Sequence, residues 1–323
     1  MKRTGALRLA SSLVAKQAAI LRYHAIEERP QEHEHSIGTA IIHTPECFSR
    51  QMELITRRYN PVTLDDIVLF VRGEQDIPRG AVALTFDDGY LDNYLLAAPI
   101  LERFGIKAAF YITVDALIGN RAPWFCRLRH AFGATRKSDL RIPTPSRLYE
   151  LDCQMQREAA FIASCRACAC STGDAQETVL QSIESALEVD PLDSAGLMMN
   201  QNHVRALRDR GHIIGSHTMC HPNLAQIGQE EAERELHNSK IFLEAALNQP
   251  AVHFSYPNPI LQPHWTQHTS AVADRIGYQT AVTSESGPVR PGDNPLALHR
   301  ISVPQDPQEL AWTLDCTLLG MAI

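Results

Sequence analysis

Two adjacent carboxylates, Asp87 and Asp88, end the apolar run AVALTF in the stretch ALTFDDGYLDN. Ionised groups at the end of a buried strand must be solvated, paired or bound to a metal, because burying a lone carboxylate is very costly. Candidate partners occur 130 residues on: GSHTMCHPNL carries His217 and His221, an H-x3-H pair directly after a strand-like run. Two imidazoles and one carboxylate can hold a divalent metal and leave positions open for water and substrate. Such a metal lowers the pKa of water towards about 7 and polarises a carbonyl, which is hydrolytic chemistry.

Histidine spacing alone carries little weight in a chain with 14 histidines among 323 residues. A second H-x3-H pair, His264 and His268, stands in QPHWTQHTS. It follows Pro263 at a predicted helix start, has no strand before it, and reads as a solvated helix face. The His217/His221 pair gains its weight from position. In a parallel barrel the strand C-termini converge on the face where active sites sit, and both motifs end predicted strands.

The elements that must deliver these residues alternate between strand and helix. Thr44 and Pro45 read as an N-cap and N1 pair, followed by an apolar stripe of Phe48, Met52, Ile55 and Tyr59. Thr63 with Asp66 predicts a second helix start. AVALTF (81–86) reads as a strand, NYLLAAPILERFG as a helix closed by Gly105, and KAAFYITV (107–114) as the next strand. After residue 200 the rhythm returns. QNHVRALRDRG is helical with Gly211 beyond its end, HIIGSH is a strand, and QEEAERELHNSKIFLEAAL is a long helix. AVHFSYP, YQTAVTS and LALHRISV are strand-like, with a helix near 265–276. Repeated β–α alternation implies parallel strands with helical crossovers, a barrel or a doubly wound sheet. Between 115 and 200 the pattern loosens into a mostly helical insertion, within one domain spanning 1–323 whose core is 80–305.

Composition narrows the function class. Apolar content of 44% with 21% charged residues is that of a globular protein. A net charge of −7 argues against nucleic acid as a partner. The basic, then apolar, N-terminus has its apolar run broken by Arg8 and Lys16. It reads as a helix over 1–20 lying on the domain or on a membrane surface rather than as a cleaved signal. Cys165, Cys168 and Cys170 lack a matching second ligand pair and read as reduced thiols on a small-residue helix, consistent with a cytoplasmic location.

TFDDGY together with SHTMCHPNL resembles the polysaccharide deacetylases, the NodB-homology group of carbohydrate esterase family 4. The likeness runs from ILRYHAI (20–26) through GHIIGSHT, FSYPNP and GYQTAVTS to LALHRISV (296–303). It implies a distorted (β/α)7 barrel and a divalent metal, usually zinc, bound by Asp88, His217 and His221. It also implies that Asp87 is the base that deprotonates the metal-bound water. The implied reaction hydrolyses an N-acetyl group on a sugar polymer or glycolipid, releasing acetate and leaving an amine.

One family motif departs from its common form. Ser255 stands where an arginine is usual, so support for Asp87 must come from elsewhere, with Arg300 and Arg290 as candidates. Tyr256, through its side chain or backbone N–H, is the candidate oxyanion donor. His299, by likeness to the family's late histidine motif, is the candidate acid for the leaving amine. His24 either lines the barrel near the metal or packs, His253 is structural, and Trp124 either stacks on a sugar or fills a core. The rivals to a deacetylase are a silent glycan-binding relative, favoured by the absent arginine, and an amidohydrolase acting on a non-sugar amide.

Overall fold

The computed structural model describes residues 16–30, 37–119, 121–143 and 146–321. Seven parallel strands among them form the frame: β1 (Ala18–Tyr23), β2 (Ala81–Phe86), β3 (Ala109–Ile112), β4 (Ile213–Ser216), β5 (His253–Ser255), β6 (Thr280–Val282) and β7 (Ile301–Ser302). Their spatial order is β6-β5-β4-β3-β2-β1-β7. A parallel bridge between Val282 and Leu298, just before β7, joins the two outer edges and closes the curled sheet into a barrel. A short strand, Asn60–Pro61, pairs beside β2.

Strand alternation sorts the side chains into two layers. Leu21, Tyr23, Val82, Leu84, Phe86, Phe110 and Ile112 face outward, where Phe48, Met52 and Ile55 of α1 (Pro45–Arg58) meet them. Ile20, Ala83 and Tyr111 face a second cluster with Leu64, Ile67 and Val71 of α2 (Leu64–Val71). Both helices start as their sequences require. The Thr44 side chain accepts from the Cys47 N–H with Pro45 at the first helical position, and Thr63 and Asp66 form a reciprocal capping box.

Register sets the level of the chemistry. β1 and β2 pair over six residues, from Ala18 opposite Ala81 to Tyr23 opposite Phe86. His24 and Asp87 therefore emerge side by side at the same end of the barrel. Between β2 and β3 the chain forms a π-helical turn, Asn93–Ala97, before the short α3 (Ala98–Arg103), where the sequence pattern predicted one regular helix. Pro99 lies in the first turn of α3 and has no N–H to donate. The Asn93 side chain instead donates to the His24 carbonyl, 2.7 Å away.

β3 and β4 are neighbours, and the chain between them builds a separate layer. α4 (Val114–Gly119), α5 (Trp124–Ala134), α6 (Gln154–Ala169) and α7 (Gly173–Ala186) are joined by an antiparallel hairpin, Asp139–Pro143 with Ser146–Glu150. Trp124, Leu128, Leu140, Ile142, Cys168, Leu180 and Ile183 share one apolar cluster. The insertion thus has its own core and includes a hairpin that the sequence pattern did not foresee. Cys165 and Cys168 are buried in it, Cys170 is exposed, and all three are free thiols.

Three helices complete the crossovers: α8 (Gln201–Asp209), α9 (Gln229–Leu247) and α10 (Gln267–Ile276). α11 (Pro307–Leu318) follows β7 and packs beside α1. The N-terminal helix expected over 1–20 falls mostly on residues 1–15, outside the described residues. Its end is corrected, because Ala18–Ile20 belong to β1 and pair with β2. No helix among the described residues is long and apolar enough to cross a membrane.

Candidate metal and catalytic site

Asp87 and Asp88 leave the end of β2 through a tight turn. Asp88 has φ 74° and Gly89 φ 89°, left-handed values that Gly adopts freely and Asp tolerates. A Cβ on Gly89 would stand in ordinary contact with the Ile112 side chain, 3.4 Å away, so it is the positive φ that favours glycine here. The turn sends the two carboxylates in different directions, Asp87 to an arginine and Asp88 to two histidines. Both are buried, at 3% and 4% exposure.

His217 follows β4 directly, and its ring Nδ1–H donates to the Ser255 carbonyl at 2.8 Å. That bond fixes the tautomer and leaves the Nε2 lone pair free. The Nε2 atoms of His217 and His221 each stand 3.5 Å from the same Asp88 oxygen, Oδ1. One candidate ligand atom from each of the three residues lies within 4.8 Å of the others. These separations are long for hydrogen bonds. They suit donors around a tetrahedral ion, because ligands about 2.1 Å from a common centre stand about 3.4 Å apart. Burial, with His217 next to it, lowers the His221 pKa to about 3, so the ring is neutral as ligation requires. Burial alone would raise the Asp88 pKa, but the surrounding His217, His24 and His221 bring it below the usual value. The donor set therefore fits a divalent ion.

Arg300 takes hold of Asp87. Its Nη1 and Nη2 donate to Asp87 Oδ1 and Oδ2, each at 2.7 Å, and it is 1% exposed. The remaining donors are also placed: Nε to the Thr283 carbonyl at 2.8 Å, Nη1 to Thr85 Oγ1 at 3.1 Å and Nη2 to Ser255 Oγ at 3.0 Å. Burial would raise the Asp87 pKa, and the Arg300 guanidinium overrides it, holding the carboxyl far below the ordinary carboxylate range. Ser255, the position without the usual arginine, is small and accepts a bond from the arginine that arrives from before β7. Arg290 is exposed and its backbone N–H bonds Asp293 at 2.7 Å.

Three further expectations meet different surroundings. Alternation before β7 turns Arg300 into the barrel and leaves His299 exposed, its ring lying over Gly287. Tyr256 is buried, but its hydroxyl donates to the Leu296 carbonyl at 3.0 Å and its N–H to the Val282 carbonyl at 3.0 Å. Both of its donors are occupied, so neither is free for an oxyanion. His264 is buried and precedes α10, whereas His268 is exposed on it. They do not share a solvated helix face.

His24 is the residue that the sequence left between packing and site. Its half-buried ring lies under the influence of both Asp88 and Asp87, although burial dominates and lowers its pKa to about 4. Trp124 belongs to the insertion core and reaches the site from behind: its indole N–H donates to the His221 carbonyl at 3.1 Å. Phe125 packs on the His221 ring, centroids 4.7 Å apart. His253 is a tie between elements, bonded to Thr280 at 2.8 Å and to Asp65 of α2 at 3.1 Å.

A parallel barrel with an Asp–His–His cluster at its strand ends defines a class, and family comparison agrees. The polysaccharide deacetylase model matches residues 74–136 and 171–281, more than half of the chain, and the protein belongs to that family. Among relatives, it is 21% identical over 285 residues to YxkH of Bacillus subtilis (strain 168), provisionally named a polysaccharide deacetylase, covering 88% of this chain and 70% of that one. The fold matches a Streptococcus pyogenes deacetylase, PplD, solved in complex with acetate, with TM-score 0.62 and 19% identity over 93% of this chain and 99% of that one. It also matches IcaB from Ammonifex degensii, with TM-score 0.60 and 16% identity over 93% and 98%.

Proposed function

We propose that the protein is a metal-dependent hydrolase that removes N-acetyl groups from an N-acetylated sugar polymer or glycolipid. The observation that carries this reading is the approach of both histidine Nε2 atoms to one Asp88 oxygen at 3.5 Å, with a separately anchored Asp87 beside them. Asp88, His217 and His221 would hold a divalent ion, and a donor set of two nitrogens and one oxygen suits zinc. The ion supplies an acidified water and a polarised acetyl carbonyl.

The chain's own residues do the rest. Asp87 takes a proton from the attacking water as general base. Arg300 keeps that carboxylate ionised and aimed, since two parallel N–H···O bonds fix its plane. We assign proton delivery to the leaving nitrogen to His24 rather than His299, because His24 emerges from β1 beside Asp87 within the electrostatic influence of both carboxylates, whereas His299 is exposed. Its ring starts neutral, so it would take up the proton that Asp87 removes from the water and hand that same proton to the leaving nitrogen. The silent-binder reading leaned on an unsupported base, and Arg300 removes that reason. The eight free thiols fit a reducing, cytoplasmic setting.

The test is acetate release from a panel of N-acetylhexosamine polymers, lipid-linked N-acetyl sugars and non-sugar acetamides, with and without chelator. Chelator-sensitive release from one of the sugar classes is expected. Release confined to the non-sugar amides would favour the amidohydrolase rival, and none from any substrate would contradict the assignment.

A further inference from the structure

We propose that Glu235, on α9, is a positioning residue that aims His221 at the metal; this rests on the metal-site reading above. The two histidines are held by different means. His217 is oriented through its own ring, by the bond from Nδ1–H to the Ser255 carbonyl. The buried Nδ1 of His221 has no partner among the described residues. Metal-bound histidines are ordinarily fixed by a hydrogen bond from the second ring nitrogen. Where that bond is absent, the ring direction must come from the backbone that carries it and from the Phe125 ring packed against it.

That backbone is a demanding one. Thr218 has φ 69° and His221 φ 58°, left-handed values that side-chain-bearing residues hold only when their surroundings enforce them. His221 itself is tied at both backbone groups, its N–H donating to Thr218 Oγ1 at 3.0 Å and its carbonyl accepting from the Trp124 indole, and two further elements hold the residues before it. At the start of α4, the Val114 N–H donates to the Thr218 carbonyl at 3.1 Å and the Asp115 N–H to the Met219 carbonyl at 2.9 Å. From α9, Glu235 collects the donors of the two residues between Thr218 and His221. Its Oε2 accepts the Met219 N–H at 2.9 Å and the Cys220 N–H at 3.0 Å, and its Oε1 accepts the Cys220 thiol at 3.2 Å.

Glu235 is itself buried at 6% exposure and sits on the 19-residue α9, whose Leu236, Leu243 and Leu247 are buried in the core. A carboxylate on a well-packed helix thus clamps the turn whose last residue is the second histidine ligand. No other side chain in the described residues touches both of those N–H groups.

The test is the Zn2+ affinity of the full-length, chelator-stripped protein, measured by competition with a chromogenic chelator. Glu235→Ala removes the acceptor, and Glu235→Asp keeps the carboxyl group but withdraws the acceptor by one methylene. Both should raise the Zn2+ dissociation constant by about 10–100-fold, with excess Zn2+ restoring acetate release in Glu235→Asp. Glu235→Gln keeps a carbonyl acceptor and should stay close to the parent affinity. Leu236→Ala, a core change on the same helix, should lower Tm while leaving Zn2+ affinity unchanged. If Glu235→Ala fails to fold, Glu235→Asp decides. Parent-like Zn2+ binding in Glu235→Asp, or an equal loss in Leu236→Ala, would overturn the proposal. A parent protein that takes up no Zn2+ would overturn the metal reading itself, and this inference with it.

Discussion

Asp87 and Asp88 are chemically identical neighbours with opposite assignments, and what separates them is who faces each one. A buried carboxylate in the fork of a buried guanidinium is ionised under all ordinary conditions, and its partner cannot be removed cheaply. Deleting one member of such a pair costs about 3–5 kcal/mol, because the other is left charged and dry. Arg300→Lys keeps a charge but loses the fork. Because burial by itself raises the Asp87 pKa, weakening its partner lets that carboxyl protonate at higher pH. The Asp87 pKa is depressed in the folded state, so its contribution to stability is present above the unfolded value of about 4 and fades as pH falls. The acid limb of the kcat/KM profile should therefore move towards neutral in Arg300→Lys, and an unmoved limb would contradict the assignment. Asp87→Asn should keep the metal yet lose acetate release, whereas His217→Ala should lose both, as read by metal content and activity together. Asp87, Asp88 and His217 were legible as candidates because they follow apolar runs directly, and His221 because it stands four residues after His217 in a recognisable stretch. Arg300 was legible only as a candidate beside Arg290, since strand parity decides which neighbour turns inward and two-residue β7 is too short to reveal parity. The same parity explains His299. Tyr256 looked available because hydrogen-bond partners 26 and 40 residues away leave no trace in local pattern.

At the scale of elements, the crossover helices announced themselves through their ends. Thr44, Thr63 with Asp66, Gly105 and Gly211 stand at or just beyond helix termini as their chemistry requires. The hairpin of Asp139–Pro143 with Ser146–Glu150 did not, because its strands are short and mostly exposed and the first ends in Pro143. Family similarity is silent there too, since the matched segments leave out 137–170. The insertion nevertheless touches the chemistry through α5. Trp124→Phe deletes the indole N–H and leaves the His221 carbonyl unpaired, a loss of about 1–3 kcal/mol. Chemical denaturation should read that loss, and Zn2+ affinity should fall with it. Unchanged affinity would mean that the insertion supports the fold but not the ligand.

The whole molecule brings the two motifs together by topology. β2 and β4 are separated by β3 in the sheet and by more than a hundred residues in the chain, yet their C-terminal ends open on one face. Parallel strands with helical returns produce that convergence for any sequence that alternates in this way. It was legible in outline, whereas closure through the single Val282–Leu298 bridge was not, because it depends on one pairing between edges. The most direct test of the metal centre is an anomalous difference map at the zinc edge from crystals of the Zn2+-loaded protein. A peak bounded by Asp88, His217 and His221, with Asp87 turned towards Arg300, is the predicted result. Full zinc occupancy elsewhere, or those three side chains turned away from a common point, would contradict it.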